Sequence, residues 1–406
     1  MFNETGVYVA LRNNNSRKQN KFENFKKMTA DFTFSSGWRV DKHIRYMVDV
    51  RKTGRADIIG FGDAGVFLSK NEPALAARTA VREAVRAAAL AAGASEAQAN
   101  AALDAAAAAT TDALTAGASP IAASEAAGEA AESVAQASPA VAAAAGAAAA
   151  LPRFKFTSPS IILHDFGYDQ GWRLDKHLRF LVDFCGSGFP HIIGFGETSV
   201  VLVRNNRNGS FGARRDFDLG QFTYSSGWRV DKHVRTLADM SGKGRPDIVG
   251  FGNEGVYVAV NKGDGTVEKA KLVLEEFGYN QGWRVERDLR MIVDVDGNGL
   301  GDIVAFGRSG VYISKNRGNC RFELPKLVTR NFGNLAGYSI DRHQRFMVDV
   351  TSNGCADIVA FGQEEAYVAF NNGAGEFSPA QKFVNDFCWN QGWSPFTTVR
   401  YVDRLD

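Results

Sequence analysis

The chain is short of the residues that build covalently or metal-stapled scaffolds. Its four cysteines (Cys185, Cys320, Cys355 and Cys388) lie far apart. There is no C-x-x-C pair and no Cys/His cluster at zinc spacing, so neither a disulfide framework nor a zinc site is indicated. An excess of charge of one sign is also missing. Lys plus Arg number 47 against 45 for Asp plus Glu, and the net charge of +2 gives no field for a nucleic-acid backbone or an acidic membrane. No aromatic-containing apolar run approaches the ~18 residues of a membrane span, and residues 1–20 have no basic stretch leading into an apolar one. These absences lead us to expect a soluble protein without nucleic-acid binding or membrane insertion, cytoplasmic or released without a signal peptide. At 406 residues the chain is long enough to bury a large core unaided.

Glycine, at 42 residues, and phenylalanine, at 29, are plentiful. All-β chains spend glycine on turns and aromatics on sheet faces, and the two are distributed here by a repeat. Trp172, Trp228, Trp283, Tyr338 and Trp393 head the same phrase at intervals of 55 or 56 residues. The fullest unit, Gly227 to Ala259, reads G-W-R-V-D-K-H-x-R, then an apolar segment, a glycine-bearing loop, D-I-V-G-F-G, a turn and G-V-Y-V-A. Four short segments, Arg235 to Met240, Asp247 to Gly252, Gly255 to Asn261 and Lys269 to Phe277, have strand and hairpin lengths. Four antiparallel strands per unit of this size predict an all-β fold, a β-propeller of four-stranded blades with six recognisable units. The last unit, Gly392 to Asp406, stops early, and residues 2–10 resemble Phe61 to Ser69. The N- and C-termini are therefore expected to share a blade, which would hide sheet edges.

Trp38 and Trp172 lie 134 residues apart, one period of 55 plus 79. The excess makes residues 72–153 an Ala-rich insert between two propeller segments, 1–71 and 154–406. More than half of residues 74–150 are alanine, with no aromatic, and Ser95 to Gln98 fits a capping box. A marginally helical or disordered insert and a packed helical hairpin both fit this composition. Elsewhere the corresponding point is a turn, Asn261 to Gly265, where insertions are tolerated. Because the insert exceeds one period, the arithmetic leaves six and seven blades open.

The phrases Phe277 to Val285 (F-G-Y-N-Q-G-W-R-V), Arg51 to Val66 and Trp228 to Arg235 resemble the family of the mushroom lectin of Psathyrella velutina, across essentially everything outside 72–153. The resemblance implies a seven-bladed, integrin-like propeller of FG-GAP/VCBS-type repeats. It implies binding of N-acetylglucosamine-terminated and sialylated glycans in pockets between blades, with no catalysis. Glycans and glycoproteins would be its partners.

A sugar site needs an aromatic face and a few fixed polar groups, and the repeated loop offers both. Trp38, Arg39 and His43 recur as Trp172, Arg173 and His177 and as Trp228, Arg229 and His233, and the turn after G-F-G adds Asp63, Glu197 or Asn253. The competing reading packs Trp and His between blades and pairs Arg with a carboxylate. The fourth unit keeps Trp283 and Arg284 but has Asp288 at the histidine position and Arg308 after G-F-G. The fifth has Tyr338, Ser339, His343 and Gln363, so both pockets should be altered. In the sixth, Ser394, Pro395 and Thr398 depart furthest.

Asp294, Asp296, Asn298, the Leu300 carbonyl and Asp302 set oxygen ligands in a compact arc with a glycine turn, as structural calcium requires. The loop also resembles the calcium loop of integrin-type blades. Asp349, Thr351, Asn353 and Asp357 repeat the spacing with less charge. Elsewhere the loop carries its own cation, Arg51 and Arg55, His191, or Lys243 and Arg245, and a salt bridge should replace the metal. A multivalent lectin is the leading reading and an integrin-like protein-adhesion propeller its rival. A propeller enzyme would need a unique acid/base constellation, and the repeats contain none.

Overall fold

The computed structural model describes residues 7–9, 26–73, 154–218 and 220–395, with Arg86, Leu90, Ser95 to Ala97, Asn100, Ala101 and Asp104 between them. Two compact units emerge. One comprises Met1–Val7, Ala30–Ser69 and Pro159–Asp406, the other Tyr8–Thr29 and Lys70–Ser158.

Strands β1 (Val7–Val9) and β2 (Lys26–Thr29) pair with each other. The first blade has the strands β3 (Ile44–Val48), β4 (Asp57–Phe61) and β5 (Val66–Ser69). After a short ladder of β6 (Asn71–Pro73) with β7 (Phe154–Phe156), β8 (Ser160–Leu163) closes that blade against β5. The second blade is β9 (Leu178–Val182), β10 (His191–Phe195), β11 (Val200–Asn205) and β12 (Phe211–Asp218). The third is β13 (Val234–Ala238), β14 (Asp247–Phe251), β15 (Val256–Ala259) and β16 (Lys271–Leu274). The fourth is β17 (Leu289–Val293), β18 (Asp302–Gly307), β19 (Gly310–Ser314) and β20 (Lys326–Thr329). The fifth is β21 (Arg345–Val348), β22 (Asp357–Phe361), β23 (Ala366–Ala369) and β24 (Gln381–Val384). Every blade is an antiparallel meander. The fold is an all-β propeller with five four-stranded blades among the described residues, where the sequence count was six. The rest of the sixth unit after Pro395, and with it the expected sharing of a blade between the two termini, lies outside the described residues.

The insert lies in the chain between β6 and β7. Asn71 pairs with Phe156 where the other blades have bridges Asn261 to Val267, Asn316 to Phe322 and Asn371 to Phe377. It therefore occupies the tip of the hairpin between the third and fourth strands, where a blade normally spends a short turn. Within it, Arg86, Leu90, Glu96, Ala97, Asn100, Ala101 and Asp104 are helical, and Arg86 pairs with Glu96 at 2.7 Å. The choice between a packed hairpin and a loose insert rests on residues outside those described.

The second strand of each blade is buried along its whole length, which explains why D-I-V-G-F is apolar at consecutive positions instead of alternate ones. Gly194 is required there: a Cβ would lie 2.5 Å from Trp172 Cη2 and 2.6 Å from Phe166 Cε1. Phe166 itself is left-handed (φ 63°), a costly conformation for an aromatic residue. It is held by the buried Arg179, which donates to its carbonyl at 2.8 Å, and Arg290 and Arg345 do the same for Phe277 and Phe332. The arginine of K-H-x-R is thus a structural brace. Successive blades are tied by asparagines: Asn205, Asn261, Asn316 and Asn371 donate through Nδ2 to the carbonyls of Val50, Phe184, Met240 and Val295 at 2.7–2.9 Å.

Candidate functional site: a histidine-backed acceptor repeated on four blades

The W-R-V-D-K-H segment folds back on itself. His43, His177, His233 and His343 accept through Nδ1 the backbone N–H four residues earlier, from Arg39, Arg173, Arg229 and Ser339, at 3.0–3.2 Å. That bond puts the ring proton on Nε2. Each Nε2 therefore donates to the residue twenty positions on, in the turn after G-F-G. The partners are Asp63 (3.0 Å), Glu197 (3.3 Å), Asn253 (3.0 Å) and Gln363 (3.2 Å). All four histidines are buried and all four turn residues are exposed. Burial is the largest influence on His177, His233 and His343 and lowers their pKa, so they stay neutral. The bond from His43 is the chief cause that holds the Asp63 carboxyl below its usual range. Four of the five described blades thus offer solvent a fixed oxygen acceptor backed by a buried donor.

The tryptophans take a different place from the one expected. Trp172 and Trp228 are only 4% and 9% exposed, stacked on Phe166 and Phe222, so neither offers a free face to a sugar. Trp38 and Trp283 are half-buried in the same setting. Arg39, Arg173, Arg229 and Arg284 lie 3.6–3.8 Å above the rings of Phe34, Tyr168, Tyr224 and Tyr279. Each also donates to the carbonyl of the same aromatic residue at 2.6–2.7 Å. From the preceding blade, Lys42, Lys176 and Lys232 reach Tyr168, Tyr224 and Tyr279 at 4.2–4.6 Å. Sequence reasoning missed these aromatic residues. Their constant spacing of five before each arginine was the available signal.

Two cavities occupy the same repeat position. The fifth-blade cavity, about 560 Å³, is lined by Tyr338, His343, Gln363, Glu364, Glu365 and Tyr367 with neighbouring glycines. The fourth-blade cavity, about 500 Å³, is lined by Trp283, Arg287, Asp288, Arg308, Tyr312 and Glu276 among others, and not by Arg284. Both volumes suit a small ligand. In the fourth blade the buried Asp288 takes over the histidine's acceptor role, receiving the Arg284 N–H at 2.9 Å, and pairs with Arg287 at 2.8 Å. The fifth blade, despite Tyr338 and Ser339, keeps the histidine pair intact. In the sixth unit, Trp393 packs on Phe387 as in the other units.

In the loop after β17, Asp294, Asp296 and Asp302 bring carboxylate oxygens within 4.8 Å of one another. Asp294 accepts the N–H groups of Gly297, Asn298 and Gly299 at 2.7–3.2 Å, and Asp302 those of Val295 and Asn316 at 3.0 and 2.7 Å. Asn298 Oδ1 accepts the Leu300 N–H at 2.7 Å. Asp296 Oδ1 is buried without a hydrogen-bond partner, and Lys315 Nζ lies 3.5 Å from its other oxygen. Burial first, then the neighbouring Asp296 and Asp294, push Asp302 up to about 6. In the second candidate loop Asp349 accepts the Asn353 and Gly354 N–H groups, and Thr351 donates to Asp357. In the first blade Arg51 pairs with the buried Asp57 at 2.8 Å, the expected substitution of a cation for a metal. The third blade differs from expectation. Asp247 is satisfied by the N–H groups of Met240, Ser241 and Asn261, and neither Lys243 nor Arg245 pairs with it.

Among solved structures the chain is similar to an Agrocybe aegerita lectin that specifically recognises non-reducing terminal N-acetylglucosamine. The identity is 35% over 99% of this chain and 81% of that one, with a TM-score of 0.72. It is also similar to the Tc holotoxin pore of Photorhabdus luminescens, at 13% identity over 95% of this chain and 13% of that one, with a TM-score of 0.50. That second likeness concerns the fold alone. No protein-family model and no curated protein matches the chain. With a third of its residues shared along nearly its whole length, this chain belongs to the carbohydrate-binding β-propeller family of that Agrocybe aegerita lectin.

Proposed function

We propose that the protein binds glycans ending in N-acetylglucosamine, and sialylated glycans as a second class, one sugar per cavity and without catalysis. The observation that carries this reading is the buried histidine and exposed oxygen acceptor repeated at one place on four blades. A hexosamine presents adjacent hydroxyls, which donate to a carboxylate or amide oxygen, and an apolar C–H face, which packs on an aromatic edge. Asp63, Glu197, Asn253 and Gln363 supply the acceptor. Tyr338 and Tyr367 supply the aromatic wall in the fifth blade, and Trp38 with Phe67 sits at the equivalent place in the first. Trp172, Trp228, Arg39, Arg173, Arg229 and Arg284 act as positioning residues that hold the loop. Single sites of this size bind weakly, and their repetition raises affinity for glycoproteins that carry many termini.

Six blades are the count we favour. The support is that Trp389 and Asn390 donate their N–H groups to Gly362 and Gln363 carbonyls, as Tyr168 and Asp169 do to Gly62 and Asp63, so a sixth loop is built like the others. The same reading assigns a structural calcium ion to Asp294, Asp296, Asn298, the Leu300 carbonyl and Asp302. The partnerless Asp296 Oδ1 and the clustered carboxylates fit a hard cation that would displace Lys315. Glycan-array binding competed by free N-acetylglucosamine tests the sugar assignment. Absence of any array binding would point to an adhesion module instead.

A further inference from the structure

The fourth-blade cavity reverses the polarity of its sisters. At the turn position where four blades expose an oxygen acceptor, this blade exposes Arg308, and at the histidine position it has Asp288. A guanidinium has donors only, so hydroxyls that donate to Asp63 or Gln363 elsewhere find no acceptor at the turn position here. Arg287 is already engaged by Asp288 through both Nε (2.9 Å) and Nη2 (2.8 Å). The Arg308 guanidinium, by contrast, has no ion pair or side-chain hydrogen bond among the described residues, and it lines a cavity of about 500 Å³ walled by Trp283 and Tyr312. Glu276, on the same wall, likewise has no ion pair or side-chain hydrogen bond among the described residues.

Resting on the reading that these cavities hold sugars, we propose that the fourth-blade cavity takes an anionic sugar residue. Its carboxylate or sulfate would be received by Arg308, while neutral N-acetylglucosamine goes to the blades with a histidine-backed acceptor. The planar fork of an arginine matches a pair of anionic oxygens, and the aromatic wall receives the ring. Glu276 tempers the attraction, so the two side chains set the affinity in opposite directions.

The test is a titration of the full chain with three probes: N-acetylglucosamine, its 6-sulfate, and the methyl glycoside of N-acetylneuraminic acid. An anionic probe should fill one site per chain without displacing N-acetylglucosamine. Arg308→Gln should weaken that site at least about tenfold, as loss of a charge-assisted contact does, and Glu276→Gln should tighten it. Whichever anionic probe binds identifies the group as carboxylate or sulfate. Anionic binding unchanged in Arg308→Gln, or confined to sites that N-acetylglucosamine also fills, overturns the proposal. N-acetylglucosamine uptake without any anionic site refutes this inference alone. An Arg308-dependent anionic site without N-acetylglucosamine uptake refutes the N-acetylglucosamine assignment alone.

Discussion

His43 Nε2 stands 3.0 Å from Asp63 Oδ1, a buried ring donating to a carboxylate whose side chain is 52% exposed. Twenty residues separate them, and the same spacing joins His177 to Glu197, His233 to Asn253 and His343 to Gln363. The pair converts a turn residue, which would otherwise sample many rotamers, into a fixed acceptor.

Replacing His233 by Ala removes both bonds at once, leaving the Arg229 N–H unpaired and Asn253 free to rotate. Stability should fall by about 1–3 kcal/mol, and sugar stoichiometry should fall by one. Chemical denaturation and equilibrium dialysis measure the two. Full stoichiometry in a folded variant would remove His233 from the site.

Trp172→Ala should act on the fold before it acts on sugar. The side chain is 4% exposed and packs on Phe166 and against Gly194, so its loss should cost about 3–5 kcal/mol. Gly194→Ala should cost about 1–3 kcal/mol through the opposite fault, overpacking. Thermal melts of both variants check this, and a Trp172→Ala protein as stable as the parent would contradict the packing role.

The depressed pKa values of His177, His233 and His343 carry a sign. Below about pH 6.5 the unfolded chain takes up protons that these folded rings refuse, so their contribution to stability is full above that pH. It is lost as pH falls through the folded pKa. NMR titration of the imidazole protons should give midpoints below about 6.5 in the folded protein. Midpoints above that value would mean charged rings and a different donor pattern.

Calcium should raise the melting temperature of metal-stripped protein through Asp294, Asp296 and Asp302, and Asp296→Ala should abolish the rise. Because Asp302 is pushed up to about 6, a cation must displace its proton below that pH, so calcium affinity should fall as pH drops from 7 toward 5. Calorimetric titration at both pH values measures this. Absence of uptake at pH 7 would leave the loop as a turn closed by Lys315.

Much of the fold was legible because a 55-residue repeat writes each blade several times. The segments read from Arg235 to Phe277 match β13 to β16 within a few residues. The site was only half legible. Spacing places His43 and Asp63 in the same repeat, but which side of Trp172 faces solvent depends on Gly194 of β10 and on Phe166 of the same loop closing on it. Arg173 was similarly ambiguous: a guanidinium free for ligand and one stacked on Tyr168 have the same one-dimensional pattern.

The central claim is that each histidine-backed acceptor makes one sugar site. Native mass spectrometry or equilibrium dialysis of the full chain with N-acetylglucosamine measures it most directly. The four pairs at Asp63, Glu197, Asn253 and Gln363 predict four bound sugars per chain, falling to three in Asp63→Ala. No uptake, or an unchanged number in that variant, would contradict the account.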